Sequence, residues 1–152
     1  MTETYSTQIL KGEAAMQQAA AVIASQLRPG QVVYLHGDLG AGKTTLVRGI
    51  LHALGHTGKV KSPTYTIVEP YPLPTMTCYH FDLYRFQDDE EWEAAGFRDY
   101  FNPASLCLVE WPEKAQALLP VPNIAIHFDI LPDARILHLH SQQPLALAGL
   151  CG

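Results

Sequence analysis

The segment Gly37-Asp38-Leu39-Gly40-Ala41-Gly42-Lys43-Thr44 matches the pattern G-x-x-x-x-G-K-[ST] at every fixed position. Glycines in such a loop allow backbone conformations in which successive N–H groups point at one anion. Lys43 can then reach the outer phosphates of a nucleotide, and the Thr44 hydroxyl can bind Mg²⁺. The alternative interpretation is a glycine-rich turn that a lysine happens to follow, and the flanking sequence decides between the two.

The flanking sequence places this loop between a strand and a helix. Before the loop, the short apolar run 32–35 is rich in β-branched and aromatic residues, as buried strands are. After it, apolar residues recur at helical spacing as far as Leu54, and Gly55 ends the pattern. The sequence therefore predicts a site for nucleotide phosphates. Its candidate residues are Asp38, Gly40, Ala41, Gly42, Lys43, Thr44 and Thr45.

Length and composition indicate one folded domain over residues 1–152. The chain is 47% hydrophobic, which excludes a disordered protein, because disordered chains are too polar to offset the entropy of ordering. Its net charge is −5 and its 10 Lys and Arg residues are scattered, so we expect no direct grip on a nucleic-acid backbone. The N-terminus lacks a signal-peptide pattern, and the alanine-rich run 19–24 is too short to cross a bilayer. We expect a soluble, cytoplasmic protein.

Cysteines and histidines do not suggest a metal centre. The 3 cysteines include no C-x-x-C pair, and Cys78 and Cys107 lie in apolar runs where we expect them to be buried. His138 and His140 could share one strand face, but no Cys or acidic residue nearby in the sequence completes a site.

The rest of the chain alternates strands and helices without an internal repeat. The predicted elements are an edge strand over 4–10, a helix over 12–27, strands over 64–68 and 76–83, a short helix opened by acidic residues 88–91, and strands over 106–109, 124–130 and 135–140. Pro70, Pro72 and Pro74 suggest that an exposed connection joins the middle strands into a long hairpin. The fold class is α/β, a single-domain P-loop NTPase-like sandwich with a mixed β-sheet flanked by helices. Residues 141–152 are expected to form a loose tail.

Two acidic residues stand at the ends of predicted strands. Glu110 ends the apolar run 106–109, where a carboxylate can face Mg²⁺ bound at the loop; an ordinary strand-end acid is the alternative. Asp82 ends another strand among aromatic residues that would exclude water. From the residues alone, Asp82 fits a role in hydrolysis and a structural hydrogen bond equally well.

Two further features stand close to these acids in the sequence. The hydroxyl-rich segment 62–66, which contains Thr64, can act as a nucleotide-sensing loop or simply as a capping turn before a strand. Trp111 directly follows Glu110 and can be a core residue or an exposed anchor for a partner.

Four segments, taken in order, resemble the bacterial TsaE (YjeE) family. They are the loop 37–45, Ser62-Pro63-Thr64-Tyr65-Thr66, His80-Phe81-Asp82-Leu83-Tyr84-Arg85 and Val109-Glu110-Trp111-Pro112-Glu113. The loop alone is shared by many NTPases, whereas the last two segments are far more specific. The resemblance covers residues 31–113, while the tail 141–152 shows no family pattern.

The resemblance implies a weak, partner-dependent ATPase that helps TsaD and TsaB form threonylcarbamoyladenosine in tRNAs reading codons that begin with adenosine. The chain would not itself be the transferase, and TsaD and TsaB would handle the tRNA. Lys43 and the loop amides would hold ATP, Thr44 and Glu110 would serve Mg²⁺, and Thr64 would belong to a switch-like loop. Asp82 would be a required acid near the γ-phosphate, and Trp111 would act beside the nucleotide.

The same resemblance points to the N-terminal strand and helix as part of the adenine and ribose side, where Glu13 or Arg135 could serve. Two other functions stay open. One is a nucleotide-dependent interaction switch with negligible catalysis. The other is a small-molecule kinase, which the absence of an arginine-rich lid segment disfavours.

Overall fold

A computed structural model describes residues 4–60 and 67–142 of the chain. The strands are β1 (Thr4–Leu10), β2 (Val32–His36), β3 (Val68–Pro72), β4 (Thr77–Asp82), β5 (Ser105–Glu110), β6 (Ile124–Leu131) and β7 (Ala134–Ser141). The helices are α1 (Gly12–Ala24), α2 (Lys43–Ala53) and α3 (Asp89–Ala94). Short 3₁₀ helices span Phe97–Tyr100 and Pro112–Ala115.

Within the described ranges the strands form one mixed sheet in the order β1-β7-β6-β2-β5-β4-β3. The central strand β2 pairs in parallel with β5 and with β6, and β5 pairs in parallel with β4. The outer strands β1, β7 and β3 run antiparallel to their neighbours. The carboxyl ends of β2, β5 and β4 therefore meet at one edge of the sheet, which is where open α/β sheets bind ligands.

Helices cover the two faces of the sheet. Helices α1 and α2 pack on one face, where a core cluster joins residues such as Ile23 and Leu46 to Leu35, Leu108 and Ile126 of the strands. Helix α3 and the 3₁₀ helices lie on the other face over a second, aromatic cluster built around Phe81 and Trp92. The prediction of an α/β fold with a mixed sheet flanked by helices is confirmed.

The crossing of α1 and α2 is close because Gly49 has no side chain. A Cβ at this position would lie 2.6 Å from the Ala20 Cβ, closer than such atoms ever approach. This close crossing sets α2, and with it the loop that precedes α2, directly against α1.

Several predicted elements need correction at their ends. The first helix ends at Ala24 instead of continuing to residue 27, because the amides of Gln26 and Leu27 bond to carbonyls only three residues back and tighten the chain into a turn. Pro70 and Pro72 lie inside β3 and not in the connection of the hairpin. An edge strand accommodates them because one side of it needs no ladder bonds.

The predicted tail 141–152 starts too early, because Ser141 still pairs in β7, and residues 143–152 lie outside the described residues. The strand predicted over 64–68 is observed as β3 from Val68 onward, and residues 64–66 are not among those described. Three further predictions hold. The strand over 4–10 is an edge strand, and Asp88 caps α3 by accepting a hydrogen bond from the Glu90 amide. Cys78 and Cys107 are buried. None of the helices in the described ranges has the length and apolar character needed to span a membrane.

Candidate functional site

The glycine-rich loop lies at the carboxyl end of β2 and leads directly into α2. Gly40 and Gly42 take positive φ angles of 80° and 104°, which residues with side chains rarely adopt. Gly37 is closely packed for a different reason, because a Cβ there would lie 3.0 Å from the Phe128 Cβ, tighter than most contacts of this kind. Gly42, the N-cap residue of α2, has no side chain that could cap the helix, which leaves the N–H groups of the first turn suited to face an anion.

A cavity of about 270 Å³ opens in front of this loop. Its walls are Leu39, Gly40, Ala41, Gly42, Lys43, Thr44, Thr45, Asp82, Glu110 and Trp111. The fold thus brings the loop, both strand-end acids and the tryptophan together in one place. Asp38 is not part of this wall; its side chain is exposed, and its carbonyl accepts a hydrogen bond from the Ala41 amide, 3.1 Å away.

Glu110 is the link between the sheet and the loop. It is the last residue of β5 and is only 2% exposed. The Thr44 hydroxyl donates toward its carboxylate, with Oγ1 lying 3.2 Å from Oε2 and 3.4 Å from Oε1. On the other side, His80 Nε2 lies 2.6 Å from Oε2. Glu110 is therefore held by groups from two neighbouring elements.

The Thr44–Glu110 pair could hold a magnesium ion. Both groups offer hard oxygen atoms, and Mg²⁺ is usually held by one or two such protein ligands together with substrate phosphates and water. In the described part of the chain, no three His, Cys, Asp or Glu side chains form a cluster that could hold a metal ion by themselves. The donor set thus fits an ion that arrives with a phosphate ligand and does not fit a closed structural metal site.

Asp82 lies beside Glu110 at the same edge of the sheet. The two residues are register partners on the parallel strands β4 and β5. Partial burial raises the pKa of the Asp82 carboxyl, the Glu110 carboxylate adds to the rise, and a hydrogen bond from the Tyr84 amide opposes it. A carboxylate with a raised pKa is a better proton acceptor near neutral pH, which suits general-base chemistry.

Lys43 has an unusually buried ammonium group. Lys43 is only 4% exposed. Its Nζ atom donates to the Gly37 carbonyl and lies 3.7 Å from the centre of the Trp111 ring. Burial lowers the pKa of Lys43, while the carboxylates of Glu110, Glu113 and Asp82 raise it. The ammonium is thus fixed at the cavity by the loop on one side and by an aromatic face on the other.

Trp111 turns the chain sharply after β5. Its backbone has φ 58°, the left-handed region that a tryptophan rarely adopts. The ring covers Lys43 and contacts the Tyr84 ring, with centroids 4.9 Å apart. The side chain is half-buried at the cavity mouth, so it is neither a core residue nor remote from the site.

A second cavity, of about 480 Å³, lies on the other side of the same loop. Glu13 at the start of α1 and Arg135 at the start of β7 both line it, together with Gly40, Gly42 and Thr45 of the loop. Arg135 donates to the Gly40 carbonyl at 3.3 Å, and to the carbonyls of Leu131 and Ala134. The two residues named for an adenine and ribose side thus stand at a cavity that adjoins the loop.

Sequence reasoning missed residues that the structure places at the site. His80 was quoted only as part of a motif, although it precedes Asp82 by two residues and must share its sheet face. Arg48 also lines the second cavity; it lies one helical turn after Thr44 on α2, which its place in the predicted helix could have indicated. Thr64 and the rest of segment 62–66 lie outside the described residues.

Comparison with known proteins assigns a family. The profile of the family described as Threonylcarbamoyl adenosine biosynthesis protein TsaE matches residues 10–136. A tRNA threonylcarbamoyladenosine biosynthesis protein TsaE from Haemophilus influenzae is 56% identical over 114 residues, covering 75% of this chain and 72% of that protein. The Bacillus subtilis protein of the same name is 41% identical over 107 residues, covering 70% of this chain and 66% of its own length.

The crystal structure of Bacillus subtilis YdiB matches with a TM-score of 0.73 and 27% identity, covering 94% of this chain and 89% of that one. The chain therefore belongs to the TsaE family of threonylcarbamoyl adenosine biosynthesis proteins.

Proposed function

We propose that this chain is an ATP-binding and ATP-hydrolysing accessory subunit that acts with TsaD and TsaB to form threonylcarbamoyladenosine in tRNA. It supports turnover and is not itself the transferase. Membership of the TsaE family assigns the chain to this modification pathway. The observation that carries the ATPase proposal is the contact of the Thr44 hydroxyl with the Glu110 carboxylate inside a cavity that also contains Lys43 and Asp82.

The phosphates of ATP would bind at the glycine-rich loop 37–44. The N–H groups at the start of α2 and the Lys43 ammonium are positive groups placed at this cavity. Because Lys43 is buried, its charge is little screened by water, and its attraction for a phosphate is correspondingly strong.

Thr44 and Glu110 would hold Mg²⁺ at this site. When bound there, the ion neutralises negative charge on the phosphate oxygens. The protein's own contribution is to keep the Thr44 hydroxyl and the Glu110 carboxylate within 3.4 Å of each other before any ligand arrives. Little rearrangement is then needed on binding.

Asp82 is the residue best suited to act on the attacking water. Its carboxylate lines the cavity beside Glu110, and its pKa is raised, so it can accept a hydrogen bond or a proton from water. A role in positioning Mg²⁺ is the alternative. The two roles separate experimentally, because loss of a water-orienting group lowers kcat at every Mg²⁺ concentration, whereas loss of a metal-positioning group is relieved by more Mg²⁺.

The adenosine part of ATP would occupy the second cavity. Arg135 and Arg48 place positive charge there, and Glu13 offers a carboxylate to sugar hydroxyls. The exposed side chain of Leu39 at the phosphate cavity, and that of Tyr84 against the cavity residue Trp111, fit a surface that a partner protein completes. Membership of the pathway makes TsaD and TsaB the partners we expect at this surface.

A small-molecule kinase is not supported. Arg48 and Arg135 meet at one cavity, but they belong to the regular elements α2 and β7 and not to a mobile lid. A nucleotide-dependent switch without hydrolysis makes a different prediction from our proposal, since it requires ATP binding but not Asp82.

A pair of Thr44 substitutions tests the proposal. In a reaction with TsaB, TsaD, tRNA, a threonylcarbamoyl donor and MgATP, phosphate release and modified tRNA per TsaD are both measured. Thr44→Val keeps the side-chain volume and removes the hydroxyl, so we expect phosphate release and multiple turnover to fall at least about 10-fold. Thr44→Ser keeps the hydroxyl and should stay within about 3-fold of the wild type. Two results would contradict a role for hydrolysis. One is full multiple turnover by Thr44→Val, and the other is full multiple turnover by an Asp82→Asn variant that releases no phosphate.

A further inference from the structure

His80 is a buried polar residue that the proposed chemistry does not yet use. It lies on β4, is 0% exposed, and has Nε2 at 2.6 Å from Glu110 Oε2. Its register partner is Leu108, and Glu110 is two residues further along β5 on the same face. The imidazole of β4 therefore reaches diagonally to the carboxylate at the end of the adjacent strand, β5.

On the core side, the described neighbours of His80 are apolar, while Asp82 lies two residues further along β4 and interacts electrostatically with the imidazole. Cys78, Leu106 and Leu108, on the same face of β4 and β5, all belong to the core under α1 and α2. In such surroundings a hydrogen bond to a carboxylate is short and strong, and leaving either partner unsatisfied is costly.

The other ring nitrogen identifies which tautomer is present. His80 Nδ1 is buried and has no hydrogen-bond partner among the residues the structure describes. A proton on Nδ1 would thus be a buried, unsatisfied donor, and a lone pair on Nε2 would face the lone pairs of the carboxylate. The neutral ring with its proton on Nε2 avoids both costs, so Nε2–H donates to Glu110.

We infer that His80 is a positioning residue for Glu110, holding one carboxylate oxygen through its Nε2–H group so that the carboxylate is fixed toward Thr44. This inference rests on the proposed role of Glu110 in holding Mg²⁺. His80 occupies Oε2 from the sheet side, while the Thr44 hydroxyl approaches the same carboxylate from the loop side. A ligand oriented in this way binds its metal more tightly, because the carboxylate does not lose rotational freedom on binding.

Two amide substitutions test the inference with little change in polarity. In His80→Gln the amide nitrogen is as many bonds from the backbone as Nε2, so it can still donate to Glu110. In His80→Asn the amide nitrogen takes the place of Nδ1 and falls short of the carboxylate. The half-saturating Mg²⁺ concentration for nucleotide binding, measured by calorimetry on the full chain, should rise at least about 10-fold for His80→Asn and less than about 3-fold for His80→Gln. Affinity for nucleotide in the presence of EDTA should be unchanged in both.

A spectroscopic measurement tests the tautomer on the wild-type chain without a metal, and one Glu110 variant tests the hydrogen bond. In ¹⁵N-histidine NMR spectra without nucleotide, His80 should be the neutral Nε2–H tautomer. Its Nε2 proton should move upfield in Glu110→Gln, because a neutral acceptor forms a weaker hydrogen bond. A proton on Nδ1, or an Nε2 proton unaffected by Glu110→Gln, overturns the inference.

The calorimetric outcomes separate this inference from the proposed function. Equal losses in His80→Gln and His80→Asn overturn the positioning role while leaving Glu110 as a metal ligand. If Glu110→Gln itself leaves the Mg²⁺ requirement unchanged, the proposed metal role of Glu110 fails, and the positioning role fails with it.

Discussion

The two cavities beside the glycine-rich loop differ in how firmly their walls are held. The phosphate-side wall contains Lys43 and Glu110, which are 4% and 2% exposed and make hydrogen bonds to the loop, to Thr44 and to His80. The adenosine-side wall contains Glu13, which is exposed, and Arg48 and Arg135, which are partly exposed. Charged groups fixed in a dry environment act strongly, and exposed ones are screened by water.

The difference follows from the position of each wall in the sheet. The phosphate-side wall is built at the ends of β2, β5 and β4, which are adjacent in the sheet and each have neighbours on both sides. The adenosine-side wall is built from the N-terminal end of α1 and from the β6–β7 hairpin, toward the sheet edge. We therefore expect substitutions in the first wall to affect the rate of hydrolysis strongly, and substitutions in the second to affect mainly nucleotide affinity and to do so weakly.

The largest effect is expected from Lys43→Met. Removing the ammonium while keeping an unbranched side chain against Trp111 should lower ATP hydrolysis about 100- to 1000-fold. The melting temperature should stay the same or rise, because burial lowers the pKa of Lys43 and its charge is therefore costly to the folded state. The matched control is Lys59→Met at an exposed position, which should leave the rate unchanged. A similar rate loss in both variants would mean that the Lys43 effect is not specific to the site.

Asp82→Asn should give the next largest effect, with opposite signs for activity and stability. Hydrolysis should fall about 100-fold because the amide cannot accept a proton. The folded protein should become slightly more stable at pH 7, by less than about 1 kcal/mol, since the half-exposed carboxylate is partly screened. The amide oxygen can still accept the hydrogen bond from the Tyr84 amide.

The pH dependence of this stability difference gives a further check. The pKa of Asp82 is raised above its ordinary value of 3.8, so the folded chain binds this proton more tightly than the unfolded chain does. The cost of ionising Asp82 is present above the folded pKa and disappears as the pH falls through it. The melting temperatures of wild type and Asp82→Asn should therefore differ most near neutral pH and converge on acidification. A gap that widens in acid would contradict the direction of the shift.

The smallest effect is expected from Arg135→Gln on the adenosine side. Loss of one partly exposed guanidinium should raise the KM for ATP about 2- to 10-fold and leave kcat unchanged. Arg98→Gln is the matched control, because Arg98 is an exposed arginine that pairs with Glu93 away from both cavities. An unchanged KM in Arg135→Gln would remove the main support for placing adenosine in the second cavity.

The sequence predicted the phosphate-side wall better than the adenosine-side wall. Lys43, Thr44 and Glu110 were identifiable because a loop after a strand and an acid at the end of a neighbouring parallel strand must meet at one sheet edge. Glu13 and Arg135 are more than 100 positions apart in the chain and carry no local motif, so only a family resemblance indicated them. Their meeting depends on the antiparallel pairing of β1 with β7, which no residue pattern specified.

His80 and Pro70 show two other limits. A lone histidine inside a strand has the same pattern as a core residue, and its role becomes visible only when the register places Glu110 beside it. Pro70 was assigned to a connection because proline is rare in strands, yet an edge strand accepts it. In both cases the role of the residue depends on which strand lies beside it in the sheet, and a single sequence does not specify that pairing.

The most direct test of the account compares Asp82→Asn with Arg135→Gln in one assay. ATP hydrolysis is measured with TsaB and TsaD present, over a range of ATP concentrations that reaches saturation for each variant. Asp82→Asn should lower kcat about 100-fold with little change in KM, and Arg135→Gln should raise only KM. A normal kcat in Asp82→Asn, or a comparable loss of kcat in Arg135→Gln, would contradict the division of the site into a catalytic wall and a binding wall.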